Sequence, residues 1–170
     1  MNSEKTLTLI KNRRSIRKFK EGQVPDEIID RILDAGRWAP SGKNNQPWRF
    51  SIIRNPDIKT QLSELTKYTK IVQQSNTCIA VFFHIPTGYH RDKDMMSLGA
   101  CIQNMLLTAE SEGIGALWIG EILARKEEVN ILLDTDNEHE LAAVIALGYP
   151  DESPAKNRNE ISTLMLKNYL

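Results

Sequence analysis

Six of the chain's 22 basic residues fall between Lys11 and Lys20, with Arg13, Arg14, Ser15 and Arg17 at the centre of the run. Guanidinium forks with a hydroxyl among them suit charge-assisted bonds to a single phosphate group. A second polar cluster, Pro40, Ser41, Gly42, Asn45 and Gln46, lies between Trp38 and Trp48. Its side chains carry donors and acceptors suited to the edge of a planar heterocycle. Gly42-Lys43 does not make a P-loop: Arg37 stands where the first glycine belongs, and Asn44 follows where Ser or Thr is needed. Gly113 and Gly115 form a GxG without the remaining glycine of a dinucleotide-binding turn.

Other chemistries lack their parts. His84, His90 and His139 are scattered without metal-ligand spacing, and no Gly-x-Ser-x-Gly elbow occurs. Cys78 and Cys101 sit in apolar runs with no adjacent base, so they read as buried small hydrophobes. No metal site and no catalytic side chain is expected. The remaining enzymatic route is a cofactor that brings its own reactivity, which the protein need only bind and orient.

The rest of the chain must position these groups. At 170 residues, 41% hydrophobic and 26% charged, it reads as one globular domain over 1–170. Lys and Arg balance Asp and Glu at 22 each, which argues against a nucleic-acid partner and for one small anion. No apolar stretch is long enough to span a bilayer, no signal peptide is visible, and no disulfide framework is present. The expectation is a cytoplasmic protein with no membrane partner.

Hydrophobic periodicity predicts helices over Thr6 to Asn12, from Pro25, from Pro56 to about Lys67, over Asp94 to Glu112 and over Ala124 to Leu133. Strands are predicted over Trp48 to Ile53, Thr77 to Ile85, Ile114 to Ile119 and Leu141 to Leu147. Few pairs are simple βαβ units, so α+β with a mixed sheet is the expected class. The helix from Asp94 is apolar almost all round. A stripe of Ser97, Ala100, Cys101, Asn104 and Thr108 along it is expected to receive a partner subunit.

Taken in order, four motifs resemble the nitroreductase family of FMN flavoproteins. They are Arg13-Arg14-Ser15-Ile16-Arg17; Ala39-Pro40-Ser41 running through Asn45-Gln46-Pro47-Trp48; Gln103-Asn104 leading to Gly113-Ile114-Gly115 and Trp118-Ile119-Gly120; and Gly148-Tyr149-Pro150 followed by Lys156 and Arg158. The resemblance implies an α/β sandwich with a mainly antiparallel sheet flanked by helices, in an intertwined homodimer with FMN between subunits. By the same resemblance, Arg13, Arg14, Ser15, Arg17, Lys156 and Arg158 hold the FMN phosphate. Pro40, Ser41, Gly42, Asn45 and Gln46 contact the ring and ribityl chain, and backbone groups of Leu117, Trp118, Ile119 and Gly120 face the ring.

The implied activity is ping-pong transfer of hydride from NADH or NADPH through flavin N5 to a nitroaromatic, quinone or similar electron-poor acceptor. A flavin-binding redox sensor or storage protein with little turnover is the alternative. Ser97 stands where many members of the family carry an acidic residue.

Overall fold

The computed structural model describes residues 3–167. Helix α1 (Ser3–Asn12) leads into a two-residue strand, β1 (Phe19–Lys20), and α2 (Asp26–Arg37). Strand β2 (Trp48–Ile53), helices α3 (Pro56–Glu64) and α4 (Thr69–Gln74), and strand β3 (Thr77–His84) follow. Then come the 21-residue α5 (Arg91–Ser111), β4 (Gly115–Ile119), α6 (Lys126–Leu132), β5 (His139–Pro150) and a short α7 (Ile161–Leu164).

All the strand pairs are antiparallel, in the order β2-β3-β5. The 12-residue β5 is long enough to take two partners on its other edge. There β4 pairs from Gly115 opposite Gly148 to Ile119 opposite Val144, and β1 pairs at Tyr149 and Pro150. One parallel bridge, Ser15 to Ala116, makes the sheet mixed.

β3 is buried along nearly its whole length because helices cover both sheet faces. Its alternating side chains divide two cores. Ile79, Val81 and Phe83 join Ile29 and Ile32 of α2 and Leu98, Ile102 and Met105 of α5. Cys78, Ala80 and Phe82 join Leu62 of α3, Val72 of α4 and Val129 of α6. This is an α+β sandwich with a mainly antiparallel sheet, the class expected from the sequence.

Local chemistry explains the helix ends. Asn55 accepts hydrogen bonds from the N–H groups of Asp57 and Ile58, and Pro56 occupies the first turn of α3. Gly113 ends α5 at φ 72°, a left-handed conformation that suits glycine, and Ile114 N–H reaches back to Ala109 O over 2.8 Å.

One local expectation changes, and one strand is not among those predicted. α3 stops at Glu64 and a separate α4 follows, because Glu121 accepts from the Thr66 hydroxyl and the Lys67 N–H and turns the chain there. β1 is too short to show any period.

The small-residue stripe of α5 divides: Cys101 and Asn104 lie under α2 of the same chain. A Cβ on Gly36 would stand 3.2 Å from Cys101 Sγ and 2.8 Å from Met105 Cγ, and the Asn104 amide donates to Ala35 O over 3.1 Å. The less covered face of α5 takes Ala100 from the stripe together with Lys93, Met96, Gln103 and Leu107, with Met96 73% exposed.

Candidate functional site

The basic run follows α1 and is laid along β4. Arg13 N–H bonds Leu9 O, and Ile16 N–H bonds Ala116 O over 3.0 Å. Arg13 then faces a hollow of about 520 Å³ that it lines with Arg14, Gln103, Lys156, Asn157 and Arg158. Residues from the two ends of the sequence thus meet beside the middle of α5. Among the described residues, no carboxylate lies within 4.0 Å of the Arg13, Lys156 or Arg158 cations. Partial burial pulls Arg13 below its ordinary pKa, as do Arg158 and then Arg14, while Glu110 opposes the shift. Cations gathered without a carboxylate in ion-pair contact match a phosphate.

Arg14, Ser15 and Arg17 are placed differently. Arg14 turns its fork back onto the carbonyls of Lys11 and Arg13, and its Nε is buried without a partner. It also lines a hollow of about 200 Å³ that includes Glu110 and Glu152. Ser15 sits beside Ala116 in the parallel bridge. Arg17 is exposed; its backbone N–H bonds the Glu152 carboxylate and its fork reaches Ser15 O at 3.3 Å. Neither Ser15 nor Arg17 lines the cationic hollow in this arrangement.

The second cluster forms a taut loop. Lys43, Asn44 and Gln46 take positive φ of 55°, 55° and 46°, conformations that cost non-glycine residues energy and collect at functional sites. Ser41 Oγ accepts from Gln46 N–H over 3.0 Å, and the Gln46 amide donates to Asn44 O. The Asn45 amide donates to Thr87 O at 3.0 Å and to Asp94 at 2.7 Å, leaving Asn45 Oδ1 buried without a partner. Pro40, Ser41 and Gly42 meet Met96, Ser97 and Ala100 of α5 around a hollow of about 240 Å³.

At the end of β4, Leu117 and Ile119 point into the core, so only their backbone is offered outward. Trp118 is 40% exposed, and its ring lies 4.0 Å from where Cβ atoms on Gly99 or Gly120 would stand.

Asp94 is the group the sequence reading passed over. It is 1% exposed and accepts from Asn45 and from the Tyr89 and His90 N–H groups. Burial raises its pKa, but those three donors outweigh burial and hold the carboxyl below its usual range. Only its position at the start of an apolar helix signalled it in the sequence. Among the described residues, no group of three or more His, Cys, Asp or Glu side chains could hold a metal ion. No described helix is long and apolar enough to cross a membrane.

Comparison with known proteins identifies the family. The model of the nitroreductase family matches residues 10–77 and 65–149. A relative from Methanothermobacter thermautotrophicus, "Putative NADH dehydrogenase/NAD(P)H nitroreductase", is 36% identical over 155 residues, covering 87% of this chain and 78% of the relative. The iodotyrosine deiodinase of Thermotoga neapolitana is 28% identical, covering 90% of this chain and 93% of its own. A crystal structure from Desulfovibrio desulfuricans, described as "a putative nitroreductase in complex with fmn", superposes with a TM-score of 0.94 at 37% identity, covering 100% of this chain and 99% of that one. The matched model spans both the basic run and the taut loop, and the chain belongs to the nitroreductase family.

Proposed function

We propose that this protein is an FMN-dependent NAD(P)H oxidoreductase that acts as a homodimer on electron-poor small molecules. The observation that carries the reading is the convergence of Arg13, Lys156 and Arg158 on one hollow without a carboxylate partner. The names of the relatives, an NAD(P)H nitroreductase and a nitroreductase bound to FMN, support it.

In this reading the cationic hollow takes the FMN phosphate on Arg13, Lys156 and Arg158. Pro40, Ser41, Gly42, Asn45 and Gln46 hold the ring and ribityl chain, and the backbone from Leu117 to Gly120 faces the ring. The chemistry FMN supplies when bound is hydride transfer at N5, taken from NADH or NADPH and passed, ping-pong, to a nitroaromatic, quinone or similar acceptor. The protein's own part is to orient and desolvate, which needs no nucleophile. The uncovered face of α5 supplies the twofold contact, since Met96 and Ala100 leave apolar surface beside the Pro40 hollow and Gln103 of the same face lines the cationic one.

The test is direct. The purified protein should be yellow and release FMN, not FAD, because no Rossmann element exists to hold an adenosine half. Reduction by NADH or NADPH followed by reoxidation with a nitroarene, a quinone or an iodotyrosine then identifies the acceptor class. A colourless protein that gains no FMN on titration would overturn the reading.

A further inference from the structure

Beside the hollow lined by Pro40, Gly42 and Ala100 stands a group that neither the phosphate hollow nor the ring contacts use. The Lys43 ammonium lies 5.0 Å and the Lys93 ammonium 5.6 Å from the centre of the Tyr89 ring. Among the described residues neither ammonium has a carboxylate within 4.0 Å. Asp94, next to Lys93 in the chain, is buried on three other donors. Two cations sharing one ring gain modest attraction from its face and repel each other.

The arrangement is held in place from beneath. Asp94 binds the backbone of Tyr89, the side chain of Asn45 and the first turns of α5 into one unit. Gly42 is pressed so closely on the phenol that a Cβ there would stand 2.1 Å from Tyr89 Oη. Lys43 occupies a left-handed position that glycine or asparagine would fill with less strain. Lys93 is one helical turn before Ser97, whose hydroxyl bonds the Lys93 carbonyl over 2.9 Å and which itself lines the hollow.

We propose that Lys43, Tyr89 and Lys93 form an anion-recognition subsite for a phosphate or carboxylate carried by a reactant of the flavin site. The inference rests on the function proposed above and deepens it: the electron donor, the acceptor or both are anionic, and this corner orients them. The Tyr89 ring, pressed against Gly42 of the loop, is the shared neighbour of the two ammonium groups. The anion replaces their missing counter-charge, which makes binding sensitive to ionic strength.

The experiment compares the purified holoprotein with a Lys43→Asn/Lys93→Gln double variant. Asparagine tolerates the left-handed backbone at 43, so the variant is expected to fold. Calorimetric titrations with NAD+, NADP+, 4-nitrobenzoate and inorganic pyrophosphate read binding without turnover. Absorbance reads flavin content in the same samples. Loss of charge-assisted contacts should weaken the bound anion about tenfold or more and flatten its salt dependence. A loss confined to the dinucleotides assigns the subsite to the donor's phosphates; a loss confined to 4-nitrobenzoate assigns it to an acceptor carboxylate. Equal affinities in the two proteins for all four ligands would overturn the subsite. Absent flavin in the wild-type protein would instead strike the proposed function, while the pyrophosphate comparison would still decide the subsite.

Discussion

The Asn45 amide donates to the buried Asp94 carboxylate over 2.7 Å, tying the strained loop to the first turns of α5. Without that anion, the Asn45 side chain and two backbone N–H groups would lose their shared acceptor. Asp94→Ala should cost about 2–4 kcal/mol, since several buried donors are left unpaired. The sign of the pH dependence follows from the depressed carboxyl. Its contribution is complete above the unfolded-state value of about 4 and is lost as pH falls through the lower folded value. Urea unfolding of wild type and Asp94→Ala at pH 7 and pH 3 should therefore show a difference that shrinks in acid.

A second pH effect should arise at His84. Arg49 Nη2 lies 3.1 Å from His84 Nδ1, and because a guanidinium only donates, that nitrogen must accept. The same Arg49 donates to Gln46 O, so this pair braces the loop from below. Burial, then Arg49 and His139, lower the His84 pKa, while Glu138 and Asp136 oppose. The neutral ring's contribution is present above the unfolded value of about 6.5 and is lost as pH falls through the folded one. FMN affinity should fall as pH drops below about 6.5. His84→Gln, which can still accept from Arg49, should flatten that profile, and an unchanged profile would dismiss the brace.

The phosphate hollow makes the plainest mutational prediction. Charge-assisted hydrogen bonds contribute roughly 1.5–3 kcal/mol each. Arg13→Ala and Arg158→Ala should each weaken FMN by about tenfold or more. Fluorescence titration of the flavin checks this, and wild-type affinity in both variants would move the phosphate elsewhere.

Cys78 and Cys101 should take no part in turnover. Both are fully buried; burial pushes the Cys101 thiol up to about 12 and raises Cys78 despite its contact with Ser75. A disulfide-exchange thiol reagent should label neither in the native protein and both after unfolding. Cys78→Ala with Cys101→Ala should lower stability while NAD(P)H still reduces the flavin.

Ala100 tests the link between assembly and cofactor. It is half-buried on the uncovered face of α5 and lines the hollow beneath the Pro40 loop. A charge placed there would be buried unpaired in a twofold contact, at a cost of several kcal/mol. Ala100→Glu should yield a folded monomer that no longer holds FMN. Light scattering and flavin titration on one sample check both halves, and a monomer with tight FMN binding would separate them.

The parts that local chemistry controls were legible in the residues alone. The strand at Thr77, the long central helix, its stop at Gly113 and the two polar clusters are written in periodicity, turn residues and charge spacing. The positioning of those clusters is a tertiary matter. Arg13 meets Arg158 because β4 and β1 line one edge of β5 and carry distant segments together, and no local pattern encodes that pairing. The small-residue stripe of α5 announced a close helix approach, yet only packing could show that its Cys101 and Asn104 meet α2 of its own chain. Asp94 looked like one acid among many. Its role exists only where Asn45, Tyr89 and His90 converge on it, because burial makes a carboxylate depend on partners that sequence distance conceals.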